Sequence, residues 1–445
     1  MSFLTAMTLL SVISMISAQC LTGDDAPSVM DPASRTLLTN ARFSFALDSL
    51  KKAALIESKD NIFFSPHSIN QALNLAYFGA RTTTEANLKQ ALHIPDQLSK
   101  VDVQRYYAFE RSFSQMRSQL GENSDSYEYK VANRFWITNA KKLRECMLDF
   151  FGDQLQVTDF RANPTEVRNQ INNWVSNVTK GHIRDLLPPH SIGEDTDLVL
   201  ANAVYFKGLW AHRFDPVNSK RDIFYASGSQ NSVTTFMRQK GNFNYAISEE
   251  LGVHILELPY KGKEISMFVL LPPFSTARSL QNPSYEPQDG IRQLVERLAT
   301  EEGSRELREI LDDGLLTREV EISLPRFELE RELPIGQLLH ALGAGDVMSL
   351  AADLRGFVAD GEASLTLGEA VHRARIEVTE EGTTAAAATA IFTFRSSRPT
   401  EPAVFNANHP FVYLIYNKAD HTILFTGVFR SPNGSQSTSL TRGAV

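Results

Sequence analysis

The side chains best suited to chemistry in this 445-residue chain do not fall into a catalytic pattern. There is no G-x-S-x-G turn to present an activated serine, no H-E-x-x-H pair to grip zinc beside a general base, no phosphate-cradling glycine loop and no calcium loop. The ten histidines lack metal-ligand spacing, so neither a metal nor a cofactor is expected, and the chain is not expected to be an enzyme. What stands out is a stretch of unusual composition, Glu380 to Ala390 (EEGTTAAAATA), followed by a basic, serine-bearing run, Phe394 to Pro399 (FRSSRP). After Glu380, Glu381 and Gly382 come Thr383, Thr384, Ala385, Ala386, Ala387, Ala388 and Thr389, side chains small enough to enter a packed space that larger ones would disrupt.

Local preference and context disagree over this stretch. The four alanines favour a helix, whereas Gly382, the threonines and the strand-forming flanks Ile376–Thr379 and Ile391–Phe394 oppose it. With the period of a strand, Thr383, Ala385, Ala387, Thr389, Ile391 and Thr393 share one face, which a sheet would bury if it opened to receive it. A low-complexity surface loop is the alternative.

The elements around the stretch read as α+β. Phe43, Ala46, Leu47, Leu50 and Ala54 make a helical stripe. A second helix is expected over Asn163–Lys180, with Asn163 as cap, Pro164 in the first turn, Val167, Ile171, Trp174, Val175 and Val178 as the buried face, and Gly181 at the end. Leu198–Phe206, Ile265–Leu271 and Val320–Phe327 read as strands covered on both faces, and Phe411–Tyr416 with Thr422–Phe429 as a hairpin. Between Phe274 and Asp313 the polar sequence predicts one helix, near Ile291–Leu298, inside a long surface excursion.

Composition sets further bounds. No linker or repeat divides the interior, which favours one large domain. A net charge of -8 argues against a nucleic-acid partner. No charge precedes Asp24, and Phe3–Ile16 is strongly apolar, so residues 1–18 are expected to be a signal peptide cut after Ala18, although no Lys or Arg stands near the start. Residues 19–39 then form an N-terminal extension and 432–445 a C-terminal tail; no later stretch is apolar enough to span a membrane. Cys20 and Cys146 either pair or remain lone thiols. Asn177 and Asn433 head glycosylation sequons, in keeping with a secreted glycoprotein.

Four motifs in order carry a family resemblance: Asn61–Ile69 (NIFFSPHSI), Asn202–Trp210 (NAVYFKGLW), Ala370–Ala374 (AVHRA) and Asn408–Ile415 (NHPFVYLI). With EEGTTAAAATA between the last two, the chain over about residues 40–431 resembles a serpin, one of the suicide inhibitors of serine proteases. The resemblance implies a single α+β domain with three β-sheets, eight or nine helices and an exposed reactive-centre loop over about 380–404. It implies a monomer that forms a covalent acyl-enzyme complex with a serine protease, after which the cut strand inserts into the large sheet. Ser65, Ser68, Asn202 and His372 would form the polar cluster where the central strands part, while Trp210, Arg326 and Glu380 would lie near the point of first insertion. An Arg326–Glu380 ion pair is one expectation; a solvated surface is the default for isolated charges. The hinge carries no bulky or charged interruption, which favours inhibition over a carrier or chaperone-like role.

The cut bond is less definite. Fifteen residues counted from Gly382 reach Ser396, which gives Ser396–Ser397. Chemistry favours Arg395–Ser396, since a trypsin-like pocket selects a basic side chain through a buried charge pair. Phe394, one residue earlier, would serve a chymotrypsin-like protease. Lys89, Lys100, Arg105, Arg111 and Arg117 are dispersed among acidic residues, so strong heparin dependence is not expected.

Overall fold

The computed structural model describes residues 21, 32–119, 127–226, 231–274, 290–381 and 401–432. Its strands are β1 (Ile62–Phe64), β2 (Tyr127–Thr138), β3 (Leu155–Thr158), β4 (Leu198–Gly208), β5 (Lys220–Tyr225), β6 (Asn231–Ser248), β7 (Val253–Pro259), β8 (Ile265–Leu271), β9 (Thr317–Pro325), β10 (Phe327–Leu333), β11 (Leu367–Val378), β12 (Ala403–Asn406), β13 (Phe411–Asn417) and β14 (Thr422–Phe429). Nine α-helices accompany them among the described residues.

One sheet has five strands in the order β10-β11-β4-β2-β3. Within it β4 and β11 run parallel, whereas β10 and β2, their outer neighbours, are antiparallel to them. The other sheet has nine strands, because the 18-residue β6 serves two groups. Asn231–Phe236 pair with β5, Phe236–Asn244 with β9 and Asn244–Ser248 with β7, so the second and third expected sheets are continuous through this one strand.

The apolar run of β4 is covered on both faces, as its sequence requires. Leu198 and Leu200 join the large core under the helices, while Val199 and Ala201 pack with Val167, Ile171 and Val175 of helix Pro164–Val178. Val204 and Phe206 continue into the core between the sheets. The Asn163 side chain caps that helix by accepting from the Glu166 amide at 3.1 Å. The helix ends at Val178, just before Lys180 and Gly181 turn with positive φ of 51° and 79°.

Two expectations about elements need correction. Val320–Phe327 is not one strand: β9 stops at Pro325, and Phe327 already belongs to β10 in the other sheet. The apolar pattern runs on across Arg326, and pattern alone cannot register a change of sheet. The Phe274–Asp313 region holds two helices, Gly290–Leu298 and Glu301–Asp313. Thr300 caps the second by accepting from the Gly303 amide, and Leu307 and Leu311 bury its apolar side.

Leu21 is only 1 % exposed and lies in the same core against which Cys146 packs. Cys146 is disulfide-bonded, and Cys20 is the chain's only other cysteine. Among the described residues no helix is long and apolar enough to cross a membrane, and no group of three or more His, Cys, Asp or Glu is placed to hold a metal ion.

Candidate functional site

The seam between β4 and β11 collects most of the described residues singled out in the sequence. The parallel register sets His372 opposite Asn202, with Asn133 of β2 beyond. Ser65 caps helix Pro66–Gly79, its hydroxyl accepting from the Ser68 amide at 3.1 Å while donating to the Leu424 carbonyl of β14 at 2.6 Å. The Ser65 amide donates to His372 Nε2 at 3.1 Å, so the other ring nitrogen carries the proton and donates to Asn202 Oδ1. Asn202 Nδ2 in turn donates to Ser68 Oγ at 2.8 Å and to its carbonyl at 3.2 Å. All four residues are buried. The expected cluster therefore forms, and it joins both seam strands to a helix start and to the second sheet.

Burial holds the His372 imidazole neutral, with its pKa lowered to about 3. His67, the second residue of the same helix, is lowered to about 4 by burial and by the nearby Arg42 charge. In the unfolded chain both would take a proton near pH 6.5. Below that value the unfolded state binds more protons than the fold, so stability is complete above about pH 6.5 and falls as pH drops toward 4 for His67 and toward 3 for His372. Each imidazole is expected to contribute a slope of up to about 1.4 kcal/mol per pH unit in urea melts over that window.

At the far end of the seam, the Trp210 indole donates to the Thr379 carbonyl at 2.8 Å, joining the chain beyond β4 to the chain beyond β11. Its ring stacks on Tyr260, with centroids 4.6 Å apart and planes 10° from parallel. Gly208 makes room for this: a Cβ there would meet the Tyr260 ring at 2.3 Å. Glu380 accepts from Ser219 Oγ at 2.8 Å and lies 3.6 Å from Arg326. The ion pair forms with its carboxylate largely buried, the residue being 7 % exposed. The solvated-surface default does not hold at this position.

Sequence reading missed other bonds at this end of the seam. Lys207 of β4 pairs with Glu377 of β11 at 3.1 Å and with Glu381 at 3.7 Å. Ser219 as a partner of Glu380 was likewise invisible, since a serine in a polar loop carries no signal of its contacts. Arg373, Arg375 and Glu377 share one face of β11, a pattern the sequence reading did not pick out.

The remaining candidates are dispersed. Gly382–Thr389 of the hinge, Arg395, Ser396, Ser397 and Asn433 lie outside the described residues. Asn177 is exposed on the last turn of its helix, but Thr179 of its sequon is buried, with its hydroxyl donating to the Val175 carbonyl. Of the dispersed cations, Lys100 is buried against Glu85 and the Ala80 carbonyl, Lys89 donates to the carbonyls of Asp96 and Leu98, and Arg111 pairs with Asp153.

A sheet with a parallel central pair, fastened at mid-strand by a buried Ser-Asn-His cluster to a helix start and to a second sheet, defines the serpin class of protein. The chain belongs to that family: a family model described as serpin (serine protease inhibitor) matches residues 40–432. It is 34 % identical over 416 residues to "Serine protease inhibitor 88Ea" of Drosophila melanogaster, covering 89 % of this chain and 91 % of that one. It is 33 % identical to "Antithrombin-III" of Ovis aries, over 84 % of this chain and 77 % of that one. The fold is similar to a crystal structure of uncleaved ovalbumin, with a TM-score of 0.73 and 26 % identity, covering 89 % of this chain and all of the other. As a family, serpins are inhibitors of serine proteases rather than enzymes.

Proposed function

We propose that the chain is a secreted, irreversible suicide inhibitor of serine endopeptidases, with trypsin-like proteases as its targets. The observation that carries this is strand direction. β4 and β11 are parallel neighbours, and the hinge follows directly on β11. A chain that reverses after Glu381 runs antiparallel to β11, and therefore antiparallel to β4 as well. Entering between them, it replaces one parallel pairing by two antiparallel ones, which are the slightly stronger kind. The net gain is on the order of ten ladder bonds at about 1 kcal/mol each.

The chemistry needs nothing from this chain beyond a substrate bond. The protease serine attacks the Arg395 carbonyl, its proton passes to the departing amine of Ser396, and an ester joins the protease to the new carboxyl end. Insertion then carries the ester away before water reaches it. Small side chains at Ala385 and Ala387 keep insertion fast.

Secretion is supported by the disulfide at Cys146, since such bonds persist in oxidising compartments. Removal of residues 1–18 would leave Cys20 in place; protein collected from secreting cells is expected to begin at Gln19. Peptide mapping without reductant is expected to recover Cys20 linked to Cys146, and Cys146→Ala to lower stability by about 3 kcal/mol. The engaged state of Lys89, Lys100 and Arg111 supports inhibition without heparin acceleration.

The cut site is tested by mass spectrometry of the C-terminal peptide freed on attack. A peptide beginning at Ser396 supports Arg395 as the specificity residue. One beginning at Ser397 moves the bond by one and removes the trypsin-like assignment.

A further inference from the structure

We propose that the fork where β6 parts from β7 is a binding site for a compact organic carboxylate with an apolar body. The two strands pair from Ser248–Val253 to Asn244–Glu257. Continued in register, the ladder would set Asn242 opposite Pro259, and proline has no N–H to give it. The strands separate at that point, and a cleft of about 310 Å³ opens beside them. This is at the small end for a ligand site, so it takes a small molecule.

Two further segments close its sides. The Ala211 amide donates to the Pro259 carbonyl at 2.9 Å, which brings His212 to the wall, its ring edge-on to Phe243 with centroids 6.1 Å apart. The turn from β7 to β8 brings Lys263, left-handed at φ 61°.

The base of the cleft is polar and already engaged. Glu257 is 1 % exposed and accepts from Asn244 Nδ2 at 2.9 Å, Ser266 Oγ at 2.6 Å and Lys418 Nζ at 2.5 Å. Thr317 Oγ1 holds the other end of the Asn244 amide, donating to Oδ1 at 2.5 Å. With three donors on it, the buried carboxylate has little capacity left for a ligand.

The free groups lie higher up. The side chains of His212, Asn242 and Lys263 line the cleft with no hydrogen bond or ion pair among the described residues. Lys263 and Lys418 face a single carboxylate, Glu257, so the lining carries one surplus positive charge. A ligand carboxylate answers both features: it balances that charge, and its oxygens accept from Lys263, from the Asn242 amide and from the His212 ring in charge-assisted bonds. Phe243 and Pro259 give its body an apolar wall, which a bare inorganic anion would leave unused. The surplus charge turns away metal ions and ammonium groups. The site is independent of the inhibitory reading.

The test titrates the full chain with sodium benzoate by calorimetry at constant ionic strength. A dissociation constant of about 1 mM is expected, the affinity open to a ligand of this size. Benzyl alcohol, which keeps the body without the charge, and acetate, which keeps the charge without the body, are each expected to bind about tenfold more weakly. Lys263 and Asn242 are exposed, so substitution there spares the core. Lys263→Met is expected to weaken benzoate about tenfold, and Asn242→Trp, which fills the mouth with a large ring, to abolish its binding. Lys261→Met removes the same charge from the same turn outside the cleft and is expected to bind benzoate like the parent chain. No binding by the parent overturns the site. Binding that survives Asn242→Trp, or that Lys261→Met weakens as much as Lys263→Met does, overturns it as well, because surface charge elsewhere would then hold the anion. Benzyl alcohol or acetate binding as tightly as benzoate overturns the assignment of an apolar carboxylate.

Discussion

Cutting the loop between Glu381 and Glu401 with a protease that departs is expected to raise the melting temperature by on the order of ten degrees. The gain follows from strand direction: the freed hinge has the polarity to pair with both β4 and β11, adding on the order of ten ladder bonds at about 1 kcal/mol each. Spread over a domain near 390 residues, whose unfolding entropy is about 0.8 kcal/mol per kelvin by size scaling, that energy moves the midpoint by about ten degrees. Calorimetry of cut and intact protein checks it. A cut protein that melts with the intact one has not inserted its strand, which is the behaviour of a carrier with this fold.

His372→Leu is expected to destabilise the intact protein by about 3 kcal/mol, read as a lower urea midpoint at unchanged slope. The substitution removes an acceptor from the Ser65 amide and a donor from Asn202 Oδ1, and both orphaned groups are buried where water cannot replace the partner. It should also flatten the loss of stability below pH 6.5, because the imidazole that resists protonation is gone while His67 remains. A midpoint within experimental error of the parent would mean that the cluster does not hold the seam.

What the sequence made legible, and what it did not, divides along physical lines. Helix Pro164–Val178 was readable from its Asn163 cap and 3.6-residue stripe, and β4 from an apolar run that demands cover on both faces. The hinge expectation rests on eight successive threonines and alanines, Thr383 to Ala390, and falls outside the described residues. The Ser65–Ser68–Asn202–His372 cluster came from family resemblance, since nothing in four residues spread over some 300 positions announces that they meet. The break at Arg326 escaped because both sides of it alternate like strands, and only the tertiary fold sends Phe327 to a different sheet. Arg373 and Arg375 of β11 donate to backbone carbonyls of His182, Arg184 and Asp185, and since every residue possesses a carbonyl, no sequence signal names these partners.

The central claim is that a protease which cuts this chain is held by it. The most direct measurement mixes the purified protein with a trypsin-like protease and separates the products by denaturing electrophoresis. The account predicts a band at the summed mass of the protease and the cut chain, stable to boiling in detergent, with activity lost in proportion to the band. Complete cleavage of the chain, with the protease recovered free and fully active, would contradict it.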